Sequence, residues 1–211
     1  MKVLQKLYKD HLNATAMATA TTHNMPLTQV STNSTSLENS NLIQLSNTSI
    51  NAFSELLIQS LDLIKFRIGV MSSEMRKIFI NSILVTLLEK SIDLRLIRYL
   101  VKLVAEWIKY NKNGPLINQI PSLKEKLVLL QRLTISMEKR FAEHSDLQQI
   151  FLETIAYVYK DEVYSTNNEF KVKLEQAFLA GLKCANPQIR QMFFDIFNTT
   201  FNSTDLFERL C

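Results

Sequence analysis

The chain has 211 residues, enough for one domain or a run of helical repeats around a real core. Hydrophobic residues at 46% and charged residues at 21% fit a globular protein, and a net charge of +4 is too small for a nucleic-acid-binding tail. Only 3 glycines and 4 prolines leave too few tight-turn residues for a sheet or barrel protein, so long helices joined by simple loops are expected.

In residues 1–13, Val3, Leu4, Leu7, Tyr8 and Leu12 recur at helical spacing. They predict a short isolated helix, too short to persist alone in water. Residues 14–52 are rich in Asn, Ser and Thr, with a single proline, Pro26, and a single charge, Glu38. Such a segment buries too little apolar surface to offset its ordering entropy and is expected to be a disordered linker. The Asn-x-Ser/Thr sequons at Asn13, Asn33, Asn47, Asn198 and Asn202 follow from this composition. They are read as such, not as glycan sites.

From residue 53 to 211, helix follows helix. Leu56, Leu57, Leu61, Ile64 and Ile68 mark one over Phe53–Val70, and Met75, Ile78, Phe79, Ile83, Leu87 and Leu88 mark another over Glu74–Glu89. Asp93–Lys109 has the clearest pattern: Ile97, Leu100, Val101, Val104, Trp107 and Ile108 form one apolar stripe. Arg95, Arg98, Lys102, Glu106 and Lys109 occupy its other side. Residues 74–112 hold eight basic and four acidic residues, an excess equal to the charge of the whole chain. Arg95, Arg98 and Lys102 are therefore the candidate basic face for an acidic protein partner. A plain solvated helix face is the simpler reading.

Gly114-Pro115 breaks the pattern. Ser122 to Glu125, Ser145 to Gln148 and Thr166 to Glu169 have capping-box spacing, and Asn186-Pro187 places a cap residue before proline. These signals predict helices at about 122–141, 146–160, 168–184 and 187–200, with a last one starting near Thr204. Phe193, Phe194, Phe197 and Phe201 make an aromatic-rich stretch that suits core packing, since Phe193 and Phe197 share a face with Ile189, and equally an edge against further repeats. Short connections make antiparallel helix pairs, either a bundle or an irregular HEAT-like solenoid.

Catalytic and metal chemistry find no support. His144-Ser145-Asp146 has the residue types of a hydrolase triad, but adjacent positions cannot meet in triad geometry. Lys160-Asp161-Glu162 reads as solvated surface at a helix end. Neither Cys184 nor Cys211 has a second ligand nearby, and two cysteines make no disulfide framework. Cys184 is expected as a buried thiol in a reducing compartment. The separated glycines exclude a phosphate-cradling loop, so no cofactor is expected. No apolar run approaches the ~20 residues that span a bilayer, and no secretory leader is visible. An enzyme would need a convergent nucleophile–base pair and a pocket. A nucleic-acid binder would need a denser basic face.

An ordered series of short runs carries more information than the pattern. It comprises Glu74-Met75-Arg76-Lys77, Leu87-Leu88-Glu89-Lys90-Ser91 and Glu106-Trp107-Ile108-Lys109. Leu123-Lys124-Glu125-Lys126, Glu138-Lys139-Arg140-Phe141 and Tyr157-Val158-Tyr159-Lys160-Asp161-Glu162 follow. The last are Lys173-Leu174-Glu175, Ala177 to Cys184, Pro187-Gln188-Ile189-Arg190 and Phe193-Phe194. Over roughly residues 72–211 this series resembles the HEAT-repeat region of the TRRAP (transformation/transcription domain-associated protein) family. These are very large phosphatidylinositol-3-kinase-related proteins.

The resemblance implies an all-α, HEAT-like α-solenoid of antiparallel helix pairs. It implies a non-catalytic scaffold, because the family's kinase-like domain lacks the residues for phosphoryl transfer. The expected setting is the nucleus, in histone acetyltransferase complexes of the SAGA and NuA4/TIP60 types. The expected partners are complex subunits and transcription activators, with no direct nucleic-acid, membrane or small-molecule partner. No site residue carries over from the family. The chain has no FAT or kinase-like segment and ends inside a helical pattern at Leu210-Cys211, so it is expected to be a fragment. The alternative is another HEAT scaffold, a nuclear transport receptor or a phosphatase regulatory subunit.

Overall fold

The computed structural model describes residues 2–23, 51–109 and 121–200. Among the described residues the regular elements are all helical. The chain divides into two compact units, Met1–Leu100 with Asn118–Ile120, and Val101–Ile117 with Pro121–Cys211. Of the linker expected over 14–52, residues 14–23 and 51–52 are helical; residues 24–50, the Gly114-Pro115 break, the helix near Thr204, Phe201 and Cys211 lie outside the described residues.

In the first unit, helix α1 is Lys2–His23, not 1–13. Ala14, Ala16, Ala18 and Ala20 continue it, because alanine is the best helix former and the Asn/Thr-rich composition here is alanine-rich as well. Nor is α1 isolated. Leu4, His11 and Thr15 are buried, at a spacing of one helical face, while Val3 is 74% exposed. The apolar count had picked part of the face and missed its two polar members.

Helix α2 covers residues 51–64 and buries Leu57 and Leu61, then tightens into a 3-10 turn over Lys65–Val70. The stretch expected as one helix over Glu74–Glu89 comes in three parts: α3 (Ser73–Lys77), a π-helical segment Ile78–Leu84, and α4 (Val85–Lys90). The cause is visible in the sequence. Buried residues recur at Phe79 and Ile80, Ile83 and Leu84 (with Val85 beside them), and Leu87 and Leu88, a period of four. A four-residue step in an α-helix turns by about 400°, so the stripe would drift by about 40° per step. Widening the turn to i→i+5 bonds keeps the pairs facing the core.

Helix α5 is Leu94–Lys109. Asp93 caps its start, its carboxylate accepting from the Arg95 amide at 2.8 Å. The expected single stripe is too narrow, since Leu96, Leu103 and Ala105 are buried as well. At about 100° per residue the buried positions cover roughly 200° of the helix circumference. Trp107, 5% exposed, is a core residue.

In the second unit, α6 (Leu123–Lys139) opens with the expected capping box between Ser122 and Glu125. A short turn returns the chain to α7 (Ser145–Lys160). Here the expected box is absent. His144 occupies the cap position without a side-chain bond, and Gln148 instead donates to the carbonyls of Met137 and Phe141. The Met137 carbonyl lies in the last turn of α6, and the Phe141 carbonyl, in the turn that follows, also accepts from the His144 amide; a long amide side chain meets both better than it folds back on its own helix. Asp161 caps a short helix, α8 (Glu162–Ser165), so it is not plain surface. The next cap is Asn167, not Thr166, whose hydroxyl closes α8 by donating to the Glu162 carbonyl.

The helix expected over 168–184 is split at Leu174 into α9 (Asn168–Lys173) and α10 (Glu175–Leu182). Tyr159 accounts for the break. Its hydroxyl donates to the Lys171 carbonyl at 3.1 Å, taking the acceptor that the Glu175 amide would use in an unbroken helix. Phe170 and Leu174 can then face inward together with Ala177 and Phe178. Helix α11 (Pro187–Thr200) starts as expected, with the Asn186 side chain accepting from the Gln188 amide. Tyr159 meets Phe178 with ring centroids 4.5 Å apart, and Phe178 meets Phe193 at 5.2 Å, tying α7, α10 and α11 together. Phe193 and Ile189 are buried, as expected, and Phe194 is 50% exposed.

Gly181 lies against the flat of Phe193, where an added Cβ would come within 2.5 Å of three ring atoms. Phe193 is fully buried and cannot step aside. Gly181→Ala is therefore expected to destabilise the second unit by about 1–3 kcal/mol, overriding the ~1 kcal/mol of helix propensity that alanine brings. Thermal unfolding followed by circular dichroism checks this, and an unchanged or higher Tm contradicts it.

Candidate interaction surface

The polar side of α5 occupies the arc its buried residues leave free. Arg95, Arg98, Lys102, Glu106 and Lys109 all project there, as the sequence indicates. The three candidate residues differ in what they do. Arg95 donates to the Asn51 side-chain oxygen at 2.8 Å and lies 3.7 Å from Asp93. Its charge is partly committed to holding α2 and the start of α5. Arg98 is half-buried and engaged. Lys102 is exposed, as is Lys109 two turns further on. The face is thus basic mainly at Lys102 and Lys109, with Glu106 between them.

A second surface feature belongs to the second unit alone. A cavity of about 640 Å3 opens among α6, α7, α10 and α11. Buried Met137, Phe151 and Leu152 line its interior, and Glu138 and Lys183 stand at its edge as exposed, opposite charges. Cys184 is a free thiol on this wall, half-buried and not fully buried as expected, because it follows the last turn of α10.

Two polar constellations escaped the sequence reading. The first contains Lys126, only 4% exposed, on α6. Its ammonium donates to the Tyr164 hydroxyl at 2.9 Å, and that hydroxyl donates to the Ile108 carbonyl at 3.0 Å. Ile108 lies in the last turn of α5, where carbonyls have no intrahelical donor, so the pair supplies the missing cap and places a cation where the helix dipole favours one. Burial nevertheless dominates. It pushes the Lys126 ammonium down to about 8, against a smaller opposing pull from Asp161. Burial likewise raises the Tyr164 phenol far above its ordinary value, with Asp161 adding to it.

The second constellation is in the first unit. His11 places Nε2 2.9 Å from the Ser91 hydroxyl and Nδ1 3.4 Å from the Ser54 hydroxyl. The Asp93 amide donates to Ser91 Oγ at 3.3 Å. These are the residue types of a hydrolase triad, yet the second imidazole nitrogen meets a serine, not a carboxylate. His11, Ser54 and Ser91 are all fully buried, so the arrangement fits a structural role. His144, Ser145 and Asp146, by contrast, stay consecutive at the start of α7. Among the described residues there is no group of three or more His, Cys, Asp or Glu able to hold a metal ion. None of the described helices is long and apolar enough to cross a membrane.

Comparison with known proteins decides what kind of helical assembly this is. Residues 1–211, the whole chain, match the Tra1 HEAT repeat ring region. The chain belongs to this family. The match reaches residue 1, well beyond the 72–211 over which the resemblance is legible by eye. The chain is 41% identical over 211 residues, all of its length, to the transformation/transcription domain-associated protein of Homo sapiens. It is 48% identical over 158 residues, 74% of its length, to that of Mus musculus. Over 157 residues, also 74%, it is 28% identical to the SAGA complex/NuA4 acetyltransferase complex subunit Tra1 of Schizosaccharomyces pombe. These alignments cover 5%, 6% and 4% of the three relatives, so the chain spans about one-twentieth of their length. The fold of this Tra1 HEAT repeat segment is accordingly an all-α, HEAT-like solenoid segment.

Lys126 sets up a stability test. Its pKa is lower in the fold than its ordinary 10.5, so the unfolded chain holds the extra proton between about 8 and 10.5. The burial penalty is fully present below about 8 and is relieved as pH rises through that window. Wild-type stability of the second unit is expected to gain between pH 7 and 9.5, measured by denaturant unfolding. Lys126→Met is expected to raise stability at pH 7 by about 1–3 kcal/mol, since Tyr164 keeps its bond to Ile108, and to flatten the gain. A Met variant that is less stable at pH 7 would mean that the cation at the α5 terminus outweighs its desolvation.

Proposed function

We propose that this chain is a non-catalytic scaffold segment of a transcription coactivator. It works in the nucleus within histone acetyltransferase complexes of the SAGA and NuA4/TIP60 types, contacting activators and complex subunits. The observation that carries this is the whole-chain match to the Tra1 HEAT repeat ring region, together with a relative named as a subunit of both complexes. The mechanism is binding alone: stacked helices bury a shared core and leave ridges for protein partners. The repeat part, residues 53–211, supplies those ridges.

Two features of the surface support such a role. Exposed apolar side chains, with Leu63 77%, Phe66 55% and Phe194 50% exposed, suit packing against other helices. The α5 face of Arg95, Arg98 and Lys102 suits an acidic-hydrophobic activation segment. Immobilised chain should recover acetyltransferase-complex subunits from nuclear extract, identified by mass spectrometry. Recovery of transport cargo or phosphatase subunits in their place would favour the alternative scaffolds.

The face itself is tested by charge reversal. Arg98→Glu combined with Lys102→Glu spares Arg95, which has a structural bond to Asn51. The double variant is expected to weaken binding of an acidic-hydrophobic peptide roughly tenfold at low salt, an effect that shrinks as salt is added. Fluorescence anisotropy reads this, with circular dichroism as the fold control. Equal affinity at low salt removes α5 from the proposal.

A further inference from the structure

The interruption between α9 and α10 sets four consecutive residues, Val172, Lys173, Leu174 and Glu175, in a particular arrangement. Val172 is 71% exposed, Lys173 and Glu175 are exposed, and Leu174 is fully buried. At about 100° per residue the three exposed positions share an outward arc of roughly 160°, with Leu174 on the opposite side. The break falls on Leu174 itself, at φ −108° and ψ 8°, where the Tyr159 hydroxyl holds the Lys171 carbonyl at 3.1 Å.

An aliphatic residue, a lysine, any residue and a glutamate form the pattern that the conjugating enzyme of small ubiquitin-like modifiers reads. Each fixed position has a physical reason. The lysine must reach a thioester through a narrow channel, and its neighbours hold it there. The aliphatic side chain packs on apolar surface at the channel mouth, and the carboxylate meets donors beyond it. A four-residue pattern alone is weakly specific, and one exposed valine is ordinary. Here the pattern and the exposure coincide. Only Lys160 and Lys173 in the whole sequence have an acidic residue two positions on. Lys160 is exposed too, but the residue before it is Tyr159, aromatic, 7% exposed and bonded to the Lys171 carbonyl. Lys173 has the complete set.

The surroundings leave this run open to an enzyme. The Lys173 ammonium donates to Glu169, one helical turn back, and both side chains are more than 40% exposed. An exposed pair of this kind is weak and yields to a competing site. Helix α9 has 6 residues and α10 has 8, against 17 in α6 and 16 in α7. Backbone between two such short helices opens more readily than the middle of a long one. Leu174 occupies the position that the enzyme does not read, so it stays in the core while Val172, Lys173 and Glu175 are engaged.

We propose that Lys173, at the break between α9 and α10, is an acceptor site for a small ubiquitin-like modifier. The co-reactant is the C-terminal carboxyl of the modifier, held as a thioester on the cysteine of its conjugating enzyme. The Lys173 ammonium gives one proton to water, and its nitrogen adds to the thioester carbonyl carbon. The C–N bond forms and the C–S bond breaks. The cysteine leaves as a thiolate and takes up the second proton that the nitrogen loses. The product is an isopeptide, and nothing is oxidised or reduced. A cation on the surface of the second unit becomes a tethered protein domain, a removable docking element whose effective concentration is set by its tether.

The full 211-residue chain, incubated with the modifier, its activating and conjugating enzymes and ATP, tests the site. A denaturing gel reads the mass increase, and mass spectrometry of the branched peptide locates it. One addition at Lys173 is expected, with Lys160 unmodified. Lys173→Arg keeps a cation beside Glu169 and is expected to abolish the addition. Glu175→Gln is expected to slow it about tenfold. Circular dichroism controls for the fold, and a synthetic peptide of residues 168–180 reports on the motif without it. A peptide that is not conjugated removes the motif. A conjugated peptide beside an unmodified chain means that the fold withholds Lys173, and this also overturns the site. So does an addition that persists in Lys173→Arg or is unaffected by Glu175→Gln. None of these readouts involves acetyltransferase-complex subunits, so failure here leaves the scaffold reading standing.

Discussion

Helix α5 sets the terms for much of this chain, because about two hundred degrees of its surface must be kept from water. A helix buried on a single stripe can be served by one neighbour. One buried from Leu103 round to Ala105 cannot, and its first and last turns are tied separately. In the first unit, Arg95 holds Asn51, and Tyr99 donates to Asp62 at 2.9 Å, both on α2. In the second, Tyr164, itself held by Lys126, donates to the Ile108 carbonyl in its last turn. What remains is a narrow polar arc, which is also the face proposed to meet partners. Solvent exposure there is what the packing leaves over.

The buried polar groups have a common logic. Lys126, His11, Ser54 and Ser91 are all buried, and each joins elements far apart in sequence. Their bonds are directional, so they select one docking arrangement among the several that apolar faces would tolerate. In a helical-repeat protein, where neighbouring faces resemble one another, that selectivity matters more than in a closed bundle. The cost at Lys126 is a burial penalty that is fully present below about pH 8.

The repeated breaks in helical geometry serve the same end. The π-helical segment at Ile78–Leu84 and the interruption at Leu174 both re-aim a helix so that a run of large side chains stays inside. Neither break needs proline or glycine. One follows from a four-residue spacing of apolar pairs, and the other from a tyrosine hydroxyl supplied by a different helix.

Helical character, the start of α6 and of α11, the core role of Trp107 and Phe193, and the family itself were all determined by sequence alone, since spacing, caps and ordered short runs are local properties of the chain. The extension of α1 through Ala20 was legible too, had alanine been weighed above the surrounding threonines. Tertiary structure alone decided the break at Leu174, which depends on Tyr159, and the capping of α6 by Gln148, where the Ser145 spacing had suggested a box. It also decided that His11 and Lys126 would be buried. Those two outcomes rest on contacts across 80 and 38 residues of sequence, and hydrophobic periodicity treats a polar side chain as solvent-facing until a distant partner gives it a hydrogen bond inside.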